Sequence, residues 1–199
     1  GAAGWIGLNL LEELIKDEKN RWGFNGKPIH ALLLPGSEKR KVLGISREIN
    51  IVEGDLTSKS HIRNFLSEAQ GGTIIHTAGI IHPKRAQEFY NSNVSATRNL
   101  LEVSKEYGVR KIVLLSSNSP FGFNKTNKDL FTEKTPYNPY MGYGKSKMLM
   151  EKMAISFIEK SGLDITIIRA PWFYGPHQPE RQKRFFEMIK NGKVPIIGN

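Results

Sequence analysis

At 199 residues and 39% hydrophobic content, the chain is long enough for one sizeable core, and two independent domains are not the default. The absence of cysteine removes disulfides and thiolate metal sites, and the apolar runs are too short for a membrane span; no basic segment leads into an apolar signal core, so a soluble cytoplasmic protein is expected. The formal charge of +10, from 29 Lys and Arg against 19 Asp and Glu, is dispersed and lacks interleaved aromatics, which fits attraction of a phosphorylated small molecule better than a nucleic-acid surface.

The chain opens on GAAGWIG, with Gly1, Gly4 and Gly7 spaced by three and Leu8, Leu10, Leu11, Leu14 and Ile15 following at helical spacing. Such a turn brings a pyrophosphate against backbone amides at a helix N-terminus, where the dipole favours anions. The strand that should feed the turn does not precede it. Residues 16–28 read as a polar loop, and 29–34 as a buried strand stopped by Pro35 and Gly36. A short helix over 38–43 leads to a second strand, 49–52, and then to Gly54, Asp55 and Leu56. Thr57 or Ser58 caps the next helix, whose inner face is Ile62, Phe65 and Leu66.

Residues 73–79 form a strand ending in the small turn Thr77, Ala78, Gly79, and 86–107 a long helix closed by Gly108. The strand at 111–115 runs into a serine-rich turn, 116–120, and a loop over 123–140 lies on the active-site side. A helix carrying Tyr143 ends at Gly162, and 164–169 is the next strand. Strands alternating with helices imply a parallel sheet covered on both faces.

Tyr143 and Lys147 stand four apart at the start of an apolar-periodic segment, so a helix places both on one face. A free phenol titrates near about 10; an ammonium held close favours the phenolate and lowers that value into a range useful for acid/base work. In a parallel sheet, ligands bind beyond the carboxyl ends of the strands. Each distinctive polar cluster falls at such an end: Gly1 to Gly7, Asp55, Ala78 with Gly79, Ser116 to Ser119, and Pro171 to Pro176. The five histidines lack metal-ligand spacing, and His76 reads as a satisfied core residue; no metal is expected.

With these motifs in order (the three glycines, Gly54-Asp55, His76 to Gly79, Asn93, VLLSSNSPFG at 113–122, Tyr143-x-x-x-Lys147 and RAPWFYGP at 169–176) the chain resembles the extended short-chain dehydrogenase/reductase family. The likeness is to its nucleotide-sugar epimerase/dehydratase branch and its 3β-hydroxysteroid dehydrogenase-like relatives. The resemblance implies an α/β, Rossmann-type doubly wound parallel sheet truncated at both ends, with the first strand and most of the substrate domain missing. Residues 1–178 are then an NAD(P)-binding domain and 179–199 the start of the smaller substrate-binding domain, with a helix over 184–193 and a strand beginning at 194. Because the family's first strand is central, two inner sheet edges should be left unpaired.

The resemblance also implies roles. Tyr143 transfers the hydroxyl proton, Lys147 binds the nicotinamide ribose and depresses the tyrosine, and Ser117 holds the substrate oxygen, with Ser116 and Ser119 as its alternatives. Gly1, Gly4, Trp5, Ile6 and Gly7 line the cofactor turn; Asp55 accepts from the adenine amine, with Leu56 packing on the ring. Thr77, Ala78, Gly79, Asn93, Ser116 and Pro171 complete the cofactor side, and Ser119 and Trp172 face the substrate. Two departures stand out. Leu34 and Pro35 occupy the place where NAD enzymes carry an acidic residue, with Ser37, Glu38, Lys39 and Arg40 nearby, so the cofactor is NAD or NADP. Trp172, beside Phe173 and Tyr174, stands where sugar-nucleotide enzymes often carry asparagine, and with Phe121, Phe123 and Met141 it opens an apolar alternative for the substrate. The expected activity is NAD(P)-dependent redox or epimerisation of a secondary alcohol, foremost on a nucleotide sugar; a steroid-like alcohol dehydrogenase and a non-catalytic dinucleotide-binding regulator are the alternatives. The expected partners are a small-molecule substrate and, for a homodimer, a second copy of the chain.

Overall fold

The structure, a computed structural model, describes residues 1–17, 20–21, 23–24, 26–124, 126 and 128–193. Helix α1 (Trp5–Ile15) starts directly from the glycine turn and buries Gly7, Leu8 and Leu11. Strand β1 (His30–Leu33), helix α2 (Lys39–Leu43) and strand β2 (Asn50–Glu53) follow. Helix α3 (Lys59–Leu66) is capped by Ser58, whose hydroxyl accepts from the His61 amide, as its sequence anticipates. Strand β3 (Thr73–His76), helices α4 (Gln87–Tyr90) and α5 (Ala96–Glu106), strand β4 (Lys111–Ser117), helix α6 (Met141–Ser161), strand β5 (Ile165–Ala170) and helix α7 (Glu180–Lys190) complete the order.

All strand pairs are parallel. β1 pairs with β2, while β3, β4 and β5 form a second sheet in that order. The inner edges of β1 and β3 are left unpaired, as expected, because no strand among the described residues bridges the two. Both line one cavity of about 610 Å³ together with Gly1, Gly7 and Leu11. The larger core gathers Ile62 and Leu66 from α3, Leu100, Leu101 and Val103 from α5, and Met150, Met153 and Ala154 from α6 against Ile112 and Leu114 of β4. Strand β4 alternates buried and half-buried positions up to Leu115 and then buries both Ser116 and Ser117. A smaller core joins Leu8 and Leu11 to Ala31, Leu33, Val42 and Ile49.

The long helix expected over 86–107 is interrupted. A π turn, Asn91–Ser95, separates α4 from α5 and buries Asn93 completely. A π turn inserts one residue into the helical repeat and rotates the following side chains, which is why periodicity alone misses it. Helix α7 begins at Glu180, earlier than the helix anticipated at 184, and none of its residues is buried. The strand anticipated over 194–199 lies outside the described residues.

Candidate active site

The glycine turn is built on backbone proximity. Gly4 is the extended N-cap of α1, with no side chain capping the helix and no acidic residue in its first turn, so amide donors and the positive dipole end stay available to an anion. A Cβ on Gly7 would stand 2.5 Å from the Ala2 oxygen, and one on Gly1 would collide with the Thr77 and Ala78 backbone. Those two glycines lay the turn directly against the carboxyl end of β3, making a cradle that fits a dinucleotide pyrophosphate. Ile6 and Trp5 open α1 beside it. The Trp5 indole donates to the Pro176 carbonyl (2.6 Å) and its ring meets Phe173 at 4.6 Å, which ties the segment after β5 to the turn. Asp55 turns its carboxylate to the Thr57 amide (2.8 Å), and Leu56 packs against the larger core while lining the cavity.

Tyr143 and Lys147 lie on α6 opposite the end of β4, as their spacing requires. Lys147 is 4% exposed and donates to the Leu115 carbonyl at 2.8 Å. Burial lowers its ammonium to about 8, partly offset by the nearby Glu151 carboxylate. The Ser117 hydroxyl beside Tyr143 favours the phenolate, but burial outweighs this and pushes the phenol above its ordinary value. The expected depression by Lys147 is thus not what this geometry gives: the ammonium is turned to the strand carbonyl, and dehydration governs the phenol. Ser117 also accepts from the Ser119 amide (3.2 Å) and lies 3.0 Å from the Ser119 hydroxyl, combining a turn bond with its contact to Tyr143.

Asn93, expected on the cofactor side, is committed to the protein. Its oxygen accepts from the Ile80 amide (2.9 Å), and its amide donates to the Ile80 carbonyl (3.1 Å) and to Ser146 (3.0 Å). A Cβ on Gly79 would come 3.1 Å from the Asn93 oxygen and 3.5 Å from the Lys147 ammonium, so Gly79 makes room for both. Ser116, also expected on the cofactor side, turns its hydroxyl to buried Glu151 of α6. His76 is buried and paired with the Thr97 hydroxyl at 3.0 Å, the satisfied core histidine anticipated. Pro171 is exposed at the end of β5, and Trp172, 71% exposed, lies 6.4 Å from the Phe185 ring. Among the described residues no group of three or more acidic or histidine side chains is placed to hold a metal, and no helix is long and apolar enough to cross a membrane.

A model of the NAD dependent epimerase/dehydratase family matches residues 1–198. The chain belongs to this family. It is 43% identical to an uncharacterized protein of Sinorhizobium fredii, aligned over 100% of this chain and 56% of that protein. It is 31% identical to an uncharacterized UDP-glucose epimerase of Bacillus subtilis, over 96% of this chain and 60% of the relative. A solved dTDP-glucose 4,6-dehydratase of Streptomyces venezuelae with NAD bound superimposes with a TM-score of 0.81 at 24% identity, covering 96% of this chain and 61% of that one. The chain thus spans little more than half the length of the relatives it matches.

Within this epimerase/dehydratase chain, sequence reasoning overlooked Glu151, Tyr137 and Gly144. Glu151 was legible as a carboxylate four residues after Lys147, on a face it shares with Met150, Met153 and Ala154. Gly144 was not legible, since only the folded chain shows that a Cβ there would stand 2.6 Å from the Ser119 carbonyl.

Proposed function

We propose that the protein is an NAD-dependent enzyme that oxidises, and in an epimerase or dehydratase then re-reduces or rearranges, a secondary alcohol of a nucleotide sugar. The observation that carries this reading is the meeting of Ser117, Tyr143 and Lys147 at the carboxyl end of β4. The glycine cradle would hold the dinucleotide by its pyrophosphate, and Lys147 would hold its nicotinamide ribose. Bound there, NAD supplies a two-electron hydride acceptor. In the oxidising direction Ser117 holds the alcohol oxygen and Tyr143, as phenolate, takes the hydroxyl proton; in the reducing return the phenol gives it back. The raised phenol is the resting acid, and the Ser117 hydroxyl favours the anion when it forms. Sugar-nucleotide names among the relatives support that substrate class over an apolar alcohol.

The test uses the full-length protein with NAD and panels of UDP- and dTDP-sugars, following sugar interconversion and reduced cofactor. Tyr143→Phe should lower kcat by about a thousandfold with NADH affinity kept within about threefold. Turnover unaffected by that substitution would sink the reading, as would the absence of turnover across the sugar panels; turnover confined to hydroxysteroids would move the substrate to the apolar alternative.

A further inference from the structure

Three consecutive residues at the end of β4 face α6: Lys147 donates to the Leu115 carbonyl, Ser116 donates to Glu151, and Ser117 lies opposite Tyr143. The middle contact is the most elaborate. Glu151 is fully buried, and one carboxylate oxygen accepts from Ser116 while the other accepts from Tyr137 (2.9 Å) and from the Arg169 Nε (3.0 Å) and Nη2 (2.9 Å). Arg169 is the residue of β5 that pairs with Ser116 in the parallel ladder, so Glu151 grips two neighbouring strands at one level. Its guanidinium in turn lies over the Phe121 ring, 4.6 Å from the centroid.

A buried ion pair is a weak source of net stability, because dehydration of both charges offsets most of their attraction; fixing one register is a better-attested use. The contacts it makes are directional, and a helix that slid or rotated on the sheet would break all four. We propose that Glu151 is a positioning residue that fixes α6 in register on β4 and β5, so that the Tyr143 hydroxyl meets Ser117 and the Lys147 ammonium meets the Leu115 carbonyl. This rests on the reading of Ser117, Tyr143 and Lys147 as the reacting constellation. Misplacement by about 1 Å at such a site costs up to about a hundredfold in rate.

The decisive variant is the double substitution Glu151→Met with Arg169→Met in the full-length protein, which replaces the ion pair by apolar side chains and avoids stranding one charge. It should fold with a melting temperature within about 5 °C of wild type and bind NADH within about threefold, yet lose about 10- to 100-fold in kcat. A folded double variant with wild-type kcat overturns the proposal. Should it fail to fold, Ser116→Ala decides: it leaves the Glu151–Arg169 pair intact and should still cost about 3- to 10-fold in kcat at unchanged NADH affinity, whereas no change overturns the proposal. Tyr137→Phe, which frees only the preceding loop, should leave kcat within about threefold.

A readout independent of turnover is the titration of Lys147 by NMR in the cofactor-free full-length protein. Of the titratable groups around it, Glu151 acts on it from its own helix, Tyr143 stands one turn earlier on that helix and His76 lies on β3, while Asn93 beside Gly79 is neutral. Glu151→Gln should move the lysine below its value of about 8. An unmoved lysine means Glu151 is not seated against it and overturns the proposal even if no substrate is found, whereas missing turnover in the wild type overturns only the alcohol-redox reading.

Discussion

Around Glu151, four hydrogen bonds converge on one buried carboxylate and draw β4, β5 and α6 together. Around Gly1 and Gly7, the chain is instead held by backbones lying closer than any Cβ would allow, at the start of α1 and against the end of β3. The first region is ordered by protein partners, which hold α6 and the groups proposed to move a proton against β4. The second offers backbone amides at a helix N-terminus, the property of a surface completed by an anion. A redox site needs both: rigid placement of the acid/base and an adaptable grip on the dinucleotide.

The sharpest way to break this contrast is Gly7→Ala. A methyl at that position meets the Ala2 carbonyl, which cannot swing aside as a side chain tip does, so the turn must shift. NADH affinity of the full-length protein should fall by at least about a hundredfold, read by fluorescence titration, while Lys147 still titrates near 8. A variant in which both properties change would show that the two regions are one mechanical unit; one in which neither changes would show that the turn does not carry the cofactor.

That division also governs what the sequence could disclose. The glycine spacing, the Tyr143–Lys147 interval and the Ser58 cap are local, so their geometry follows from helical and turn periodicity. The buried alternation of β4 and the left-handed close of α6 at Gly162, with φ of 68°, follow likewise. What was hidden depends on dehydration and on contacts between distant segments. The phenol of Tyr143 rises because the fold buries it, Asn93 turns inward because a π turn rotates it, and Ser116 reaches Glu151 across 35 residues of sequence. Sequence names the charged neighbour of a tyrosine; only the fold gives the burial that outweighs it.

His76 sits where the two regions meet, on β3, lining the cavity and hydrogen-bonded to Thr97. Burial first, then the Lys147 charge, lowers its imidazole to about 3. From about pH 6.5 down to about pH 3 the unfolded chain therefore binds the proton that the folded one refuses, so stability falls as pH drops through that window. At pH 5 this amounts to about 2 kcal/mol relative to pH 7. Urea unfolding at the two pH values should show the loss in wild type and about 2 kcal/mol less of it in His76→Gln. Equal losses in both proteins would place the acid sensitivity elsewhere.

The smallest effect concerns the adenosine end of the open region, where the acidic residue expected for NAD is replaced by exposed Leu34. Lys39, at the start of α2, is one of two cations near that position that could meet a 2′-phosphate, but its ammonium lies 3.0 Å from Glu53 at the end of β2, with both side chains about half exposed. A 2′-phosphate approaching Lys39 has to compete with that carboxylate and sit beside its charge, which favours NAD over NADP. Such an exposed pair contributes at most about 1 kcal/mol to folding, so Glu53→Gln should leave the melting temperature almost unchanged. The same substitution removes the competitor and should raise NADP affinity about three- to tenfold with NAD affinity held within about twofold. If neither affinity moves, the Lys39–Glu53 pair lies away from the ribose and the selectivity must come from the backbone at Pro35 and Gly36, where Gly36 takes a positive φ of 81°.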